Sequence, residues 1–274
     1  MIEARPRGWK AYDAVADAYD EAAAPLFRRL AKDLVAFVAV TPGSTVLDLG
    51  TGTGFAAEIA SPVVAPNGFV VGVDPSCPMM AIARRRVGCL VGGLAPRLPF
   101  RASCFDAVVA NLVLSHFPKL DVALSDVMRV LRPGGKLGAS AWAAADAAPE
   151  DDGVVAGEIV TAALEQLGLA TAPPASGAPS EETLKVEAHL RAALVRAGLV
   201  KISIEERTYA DAAPVHRYVR ELEWISRGRY LNTVIDENTR ARLRRELTSQ
   251  LATRFPDGIR RTHLLRLAVG TKRA

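Results

Sequence analysis

The ten residues from Val46 to Phe55, which read V-L-D-L-G-T-G-T-G-F, constrain the fold of this chain more than any other stretch. The apolar residues at its start predict the end of a buried parallel strand. Glycine at every second position up to Gly54 then leaves a turn without bulky side chains, so the backbone can adopt positive φ and a ligand can approach the main chain. From Phe55 onward the residues favour a helix, whose first N–H groups can bind a polar or anionic group.

The spacing of the glycines indicates the kind of ligand. A dinucleotide-binding turn reads G-x-G-x-x-G, whereas the third glycine here comes one residue early and Phe55 stands at the last position of that pattern. A pyrophosphate is therefore not expected. A second strand, Phe69–Val73, is predicted to end at Asp74, where an acid can accept both hydroxyls of a ribose. The alternative is that the glycines only make the turn of a strand–turn–helix unit.

Asp48 opens the pattern D-x-G-x-G-x-G, which resembles motif I of the class I S-adenosylmethionine-dependent methyltransferases. Further segments resemble the ubiquinone- and menaquinone-biosynthesis-like group of small-molecule methyltransferases (methyltransferase type 11). They are Y-D-x-x-A-x-x-Y-D from Tyr12 to Asp20, G-G-L-A-P-R-L-P-F from Gly92 to Phe100, F-D-A-V-V-A-N from Phe105 to Asn111, and L-R-P-G-G from Leu131 to Gly135. The resemblance covers roughly residues 9–142.

The resemblance implies S-adenosyl-L-methionine as the cofactor. The residues it places around this cofactor are Tyr19, Asp48, Gly50, Thr51, Gly52, Gly54, Asp74, Pro75, Met79, Gly93, Leu94, Ala95 and Asn111. Leu94 departs from the family, which has there an aspartate that accepts the adenine amino group, so only backbone groups of Leu94 and Ala95 are left to read the adenine. For Tyr19 and Met79 the alternative is ordinary packing of a helix.

Methyl transfer requires positioning, exclusion of water and sometimes a base. His116, just past the fourth strand, is the candidate catalytic base, and the alternative is a loop histidine that caps the next helix. The substrate-side candidates are Ser115, His116, Trp142, Tyr218 and Trp224. For the aromatic residues in the predicted cap, packing explains their presence equally well. No His, Asp and Glu cluster has ligand spacing, so no metal is expected.

The fold implied by the resemblance is α/β, a Rossmann-like, doubly wound, mostly parallel sheet of seven strands with a helical cap insertion. We predict a single methyltransferase domain, 1–274, with a helical lid at 1–40 and a cofactor-binding core at 41–142. Residues 143–210 and 259–274 complete the core, and residues 211–258 form the substrate cap with helices over Val215–Arg227 and Asp236–Arg254. In the lid, Pro25 is predicted to open a helix over Leu26–Val40.

Composition and charge limit the kinds of partner that this chain is expected to bind. The formal net charge is only +4, and the arginine clusters at 84–86 and 240–245 are expected to be solvated helix faces, which argues against nucleic acid. Three cysteines without a C-x-x-C pair indicate a reducing compartment, and no signal peptide is visible, so we expect a cytoplasmic location. The longest apolar runs are too short for a membrane span. A homo-oligomer is compatible with the sequence.

We therefore expect methyl transfer to a small-molecule acceptor by in-line displacement, achieved mainly by proximity. The alternative is a methyltransferase-fold protein that binds the cofactor without transferring methyl, such as a cyclase or a binding protein. An RNA or protein methyltransferase is disfavoured because the chain lacks a basic stripe and because Asn111 to Leu114 reads N-L-V-L instead of an N/D-P-P-Y-type tetrapeptide.

Overall fold

The computed structural model describes residues 8–143, 151–169, 180–223, 225, 231 and 234–274. It contains one seven-stranded sheet with the order β3-β2-β1-β4-β5-β7-β6, and β7 runs antiparallel to β5. The strands are β1 Thr45–Leu49, β2 Phe69–Asp74, β3 Leu90–Gly92, β4 Phe105–Ala110, β5 Leu131–Trp142, β6 Leu199–Ala213 and β7 Ile259–Lys272. The predicted α/β, doubly wound, mostly parallel sheet is confirmed.

Helices connect these strands. They are α1 Ala16–Val38, α2 Phe55–Val64, α3 Cys77–Ala83, α4 Leu120–Val130, α5 Asp152–Gln166, α6 Glu181–Leu184, α7 Glu187–Arg196, α8 Val215–Glu221 and α9 Glu237–Arg254. Short 3-10 helices cover Gly8–Val15 and Leu114–His116. Among the described residues, no helix combines the length and the apolar character needed to cross a membrane.

The centre of the sheet positions the candidate site. β1 pairs in parallel with β2 and with β4, so that Asp48 lies beside Gly72 on one side and Val109 on the other. The chain passes from β1 to β2 on one side and reaches β4 on the other, which makes the β1–β4 boundary the switch point of the topology. The carboxyl ends of these strands meet at one edge, where ligands bind in sheets of this type.

The chain divides into two compact units. One, the sheet unit, comprises residues 24–144, 178–207 and 264–274, and the other, the helical unit, comprises residues 1–23, 145–177 and 208–263. Each has an apolar cluster of its own. The helical unit is larger than the predicted cap at 211–258, because buried α5 residues such as Val160 and Leu164 pack with α8 and α9.

Several predicted element boundaries are wrong. Helix α1 continues through Pro25 instead of beginning after it, since the helix is anchored by the fully buried Leu30 and Leu34 beyond the proline. The segment 181–196, which the sequence analysis placed in the core, forms two short helices, α6 and α7, because the chain is extended at Val186 between them. Helix α8 ends at Glu221, before the predicted end.

Candidate functional site

The turn after β1, residues 50–54, has the backbone shape that its glycines predict. Gly50 and Gly54 have φ angles of 64° and 95°, in the left-handed region that favours glycine. A Cβ at Gly50 would lie 2.3 Å from Cγ2 of Val113, and one at Gly54 would lie 3.0 Å from Cγ2 of Val87. The turn is therefore packed on both sides, and a side chain at either position would force the surroundings apart.

Asp48 organises this turn from inside the protein. Its Oδ2 accepts hydrogen bonds from Oγ1 of Thr51 (2.7 Å) and from the backbone N–H of Ala57 at the start of α2 (2.9 Å). Burial raises the pKa of Asp48 to about 6, the negative charge of Asp74 adds to the rise, and the two hydrogen bonds oppose it. Asp48 is 2% exposed, and through these two bonds its carboxylate holds the turn. Its contact with the cofactor stays a prediction.

Asp74 joins the turn to the end of β2. Its Oδ2 accepts from the N–H of Gly52 (2.9 Å) and its Oδ1 from the N–H of Ser76 (2.8 Å), across Pro75. A carboxylate oxygen has two lone pairs and can accept more than one hydrogen bond. Ser76 also caps α3, as predicted, by accepting from the N–H of the buried Met79 (3.3 Å).

The loop after β3 carries the predicted adenine-reading residues. The N–H of Gly93 donates to the carbonyl oxygen of Asp74 (3.2 Å), which places the start of this loop beside the end of β2. A Cβ at Gly93 would lie 2.7 Å from Cδ of Pro99, so the loop is tightly folded. Leu94 is 41% exposed, whereas the neighbouring Ala95 is buried.

Two residues of α4 hold the same loop, and the sequence motifs did not point to them. Oδ2 of Asp126 accepts from the N–H groups of Arg97 and Leu98, both at 2.6 Å. Arg129 donates to the carbonyl oxygens of Leu98 (3.0 Å) and Phe100 (2.6 Å), and its Nε donates to Asp126 (2.8 Å). The backbone of this loop is therefore fixed by side chains about thirty positions away.

Asn111 lies at the carboxyl end of β4 and is held by β5. Its Oδ1 accepts from Oγ of Ser140 (2.8 Å), and the same Oγ accepts from the N–H of Leu112 (2.9 Å). Ser140 was not predicted, although a buried serine in an otherwise small and apolar strand is a recognisable signal. In the 3-10 helix that follows β4, Ser115 is buried and His116 is half-buried.

The remaining predicted site residues are spread over both units. Trp142 ends β5 in the sheet unit and is half-buried. Tyr19 and Tyr218 belong to the helical unit, where the ring of Tyr19 meets that of Tyr12 edge to face at 6.0 Å and Tyr218 is buried. Trp224 lies outside the described residues.

The prediction that arginines 84–86 form a solvated face is wrong for Arg86. Its side chain is 17% exposed, its NH1 donates to the carbonyl oxygen of Thr53 (2.8 Å), and its guanidinium lies 4.7 Å from the ring centroid of Phe55. Arg86 also pairs with Glu58 at 3.5 Å. A guanidinium can be buried where its donors and its planar face are both used, as they are here.

The residues present fit a ligand that carries a nucleoside. A glycine turn and an aspartate lie side by side at the carboxyl edge of the sheet, and the loop that begins at Gly93 adjoins them. Thr53 in the same turn has a buried Oγ1 with no hydrogen-bond partner among the described residues. No cluster of three or more potential metal ligands occurs in the part of the chain that the structure describes.

Residues 47–139 match the family model described as a methyltransferase domain. Together with the seven-stranded sheet and the glycine turn, this match identifies a methyltransferase domain over these residues. The segment includes the predicted motifs from Asp48 to Asn111, so the resemblance to the ubiquinone- and menaquinone-biosynthesis-like group is confirmed.

Two relatives show how far the likeness extends. Arsenite methyltransferase of Halobacterium salinarum is 38% identical over 112 residues, which are 38% of this chain and 29% of that protein. Demethylmenaquinone methyltransferase of Symbiobacterium thermophilum is 33% identical over 137 residues, which are 46% of this chain and 55% of that protein. The chain thus spans about half or less of the length of the curated relatives it matches.

Two solved structures share the fold over nearly the whole chain. Phosphoethanolamine N-methyltransferase 2 of Haemonchus contortus has a TM-score of 0.55 at 18% identity, with coverage of 97% of this chain and 60% of that one. The [4+2]-cyclase SpnF has a TM-score of 0.55 at 18% identity, with coverage of 100% and 99%. At these identities the likeness establishes the fold alone.

Proposed function

We propose that this chain transfers a methyl group from S-adenosylmethionine to a small-molecule acceptor. The observation that carries the proposal is the position of Asp74, whose carboxylate adjoins the glycine turn through the bond from Gly52 (2.9 Å) at the carboxyl edge of the sheet. The match of residues 47–139 to a methyltransferase domain supports it.

In this proposal the ribose hydroxyls of the cofactor would donate to Asp74, and the backbone of the glycine turn would hold the rest of the molecule. The backbone of Leu94 and Ala95, together with Met79, would hold the adenine. Asn111, which Ser140 holds at 2.8 Å, is assigned to the methionyl end. Asp126 and Arg129 fix the backbone of this loop by hydrogen bonds. The fixed backbone would bind the adenine in place of the side-chain acceptor that Leu94 lacks.

When bound, the sulfonium of the cofactor supplies an electrophilic methyl group and leaves as a neutral thioether. The protein then needs to position the acceptor in line and to exclude water, which accounts for most of the rate acceleration in such displacements. His116, half-buried after β4, accepts the acceptor's proton at an unprotonated imidazole nitrogen when the acceptor is an acid or a phenol. Ser115 and Trp142, both in the sheet unit, are assigned to the acceptor.

The acceptor is proposed to be a small molecule because the similar proteins include methyltransferases whose names specify arsenite and demethylmenaquinone. The net charge of +4 supports this choice over nucleic acid. We assign the chain to a reducing compartment on the basis of its three free cysteines.

The proposal is tested with methyl-labelled S-adenosylmethionine and a cell metabolite extract, followed by a panel of phenolic, quinone-precursor and amine acceptors. We expect label in the low-mass fraction, a mass gain of one methylene in the acceptor, and loss of both with Asp74→Ala. Tight binding of S-adenosylhomocysteine without any label transfer would favour the cyclase or binding alternative. Label that appears in RNA or protein would contradict the small-molecule assignment.

A further inference from the structure

The helical unit contains a half-open cavity of about 170 Å³ among α5, α8 and α9. Most of its wall is aliphatic, with Val160 and Leu164 of α5 opposite Leu243 and Leu247 of α9. Tyr218 of α8 adds a buried aromatic ring. A dry cavity of about 150 Å³ with a wall of this kind holds a benzene molecule, so the space suits one aromatic ring or an aliphatic group of that size.

The charged groups of the wall are Glu223, Arg240 and Arg244. Glu223 is already neutralised, since its Oε1 accepts from Nε of Arg244 (3.0 Å) and its Oε2 accepts from NH1 of Arg220 (2.5 Å). Two arginines and one glutamate leave the wall with a net positive charge. The wall therefore favours a ligand that carries a negative charge.

Arg240 is the charged residue of the wall that has an unused hydrogen-bond donor. Its Nε is buried and has no hydrogen-bond partner among the described residues. Its NH1 lies 3.2 Å from Oε2 of Glu237, whose side chain is 71% exposed, and an ion pair at so exposed a partner is weak. A buried N–H without an acceptor is costly, and a guanidinium is built to bind a carboxylate.

We propose that this cavity is a binding site for a compact carboxylic acid with an apolar body the size of one aromatic ring. The body fills the space between α5 and α9, and the carboxylate accepts from Nε of Arg240. Every residue in the argument belongs to the helical unit, so the site stands independently of the proposed methyl transfer.

The test is calorimetric titration of the full chain with 4-ethylbenzoate and with its uncharged counterpart 4-ethylbenzyl alcohol. Wild-type protein should bind both saturably and the acid more tightly. Arg240→Met should weaken binding of the acid by about tenfold or more, because a charge-assisted hydrogen bond is lost, and should change binding of the alcohol less than about twofold. Arg245→Met, on the exposed side of the same helix, is the matched control and should change neither.

A second variant tests the cavity itself. Val160→Phe places a ring in the space and should weaken the acid and the alcohol alike by about tenfold or more. If Arg240→Met proves unfolded by circular dichroism, Arg240→Lys keeps the charge, removes the Nε donor and should still weaken only the acid. The proposal is overturned if the wild type binds neither probe, if the Arg240 variants weaken both probes equally, or if Arg245→Met weakens the acid as much.

Discussion

Asp74 is the residue on which the cofactor site depends most. Asp74→Ala removes the proposed acceptor for the ribose hydroxyls and also the bonds from Gly52 and Ser76 that shape the turn. Each charge-assisted bond contributes about 1.5–3 kcal/mol, so S-adenosylhomocysteine should bind at least tenfold more weakly in calorimetry. Asp121→Ala removes an exposed carboxylate and should leave the affinity unchanged. Equal affinities of Asp74→Ala and wild type would refute the assignment.

Asp48 makes the stability depend on pH. Its folded pKa of about 6 lies above the ordinary value of 3.8, so the folded protein holds a proton that the unfolded chain has lost between these values. Stability therefore falls as the pH rises through this window, by roughly 3 kcal/mol relative to Asp48→Asn, which cannot ionise. Urea unfolding from about pH 4 to pH 7 measures the difference, with Asp257→Asn as the exposed control. Parallel curves for wild type and Asp48→Asn would contradict the prediction.

Substitutions at Leu94 test whether the loop after β3 binds the adenine. Leu94→Asp restores the side-chain acceptor that the family has and should tighten S-adenosylhomocysteine binding by about 1 kcal/mol, because hydrogen bonds in proteins exchange with those to water. Leu94→Asn provides an uncharged acceptor of similar size and should gain less. Weaker binding of both variants in calorimetry would show that Leu94 packs on the adenine as an apolar wall.

At the scale of elements, the sequence analysis did not predict that α5 packs with α8 and α9, because it assigned residues 143–210 to the core and residues 211–258 to the cap. Leu251 of α9 is fully buried in this cluster, so Leu251→Ala should lower the free energy of unfolding by about 2–5 kcal/mol. Arg245→Ala on the exposed face of α9 should change it by less than about 0.5 kcal/mol. Urea denaturation distinguishes them, and similar losses for both would mean that α9 does not depend on this cluster.

For the whole molecule, binding of the cofactor should raise the free energy of unfolding. A ligand that binds only the folded chain stabilises it by about 2.7 kcal/mol at a hundred times its Kd, which corresponds to a rise in Tm of roughly 5–10 °C. S-adenosylhomocysteine should produce this rise in a thermal melt, whereas adenosine diphosphate should not, since the glycine spacing lacks the pattern for a pyrophosphate. The same shift with both ligands would mean that the turn binds phosphates.

The class of the sheet, the glycine turn and the position of Asp74 were readable from the sequence because each depends on local chemistry. Alternation of glycines determines where a turn can approach a ligand, and an acid at the end of the next parallel strand must come to the same edge of the sheet. These features need no knowledge of which side chains meet across the core.

The tertiary structure alone decided which side chains hold these elements in place. Asn111 and Ser140 are 29 positions apart, Asp126 reaches Arg97 over 29 positions, and Arg86 reaches Thr53 over 33. Contacts of this kind depend on how helices and strands pack, and periodicity in one segment carries no information about the partner in another. The burial of Asp48, which raises its pKa, and the cavity beside Arg240 follow from the same packing.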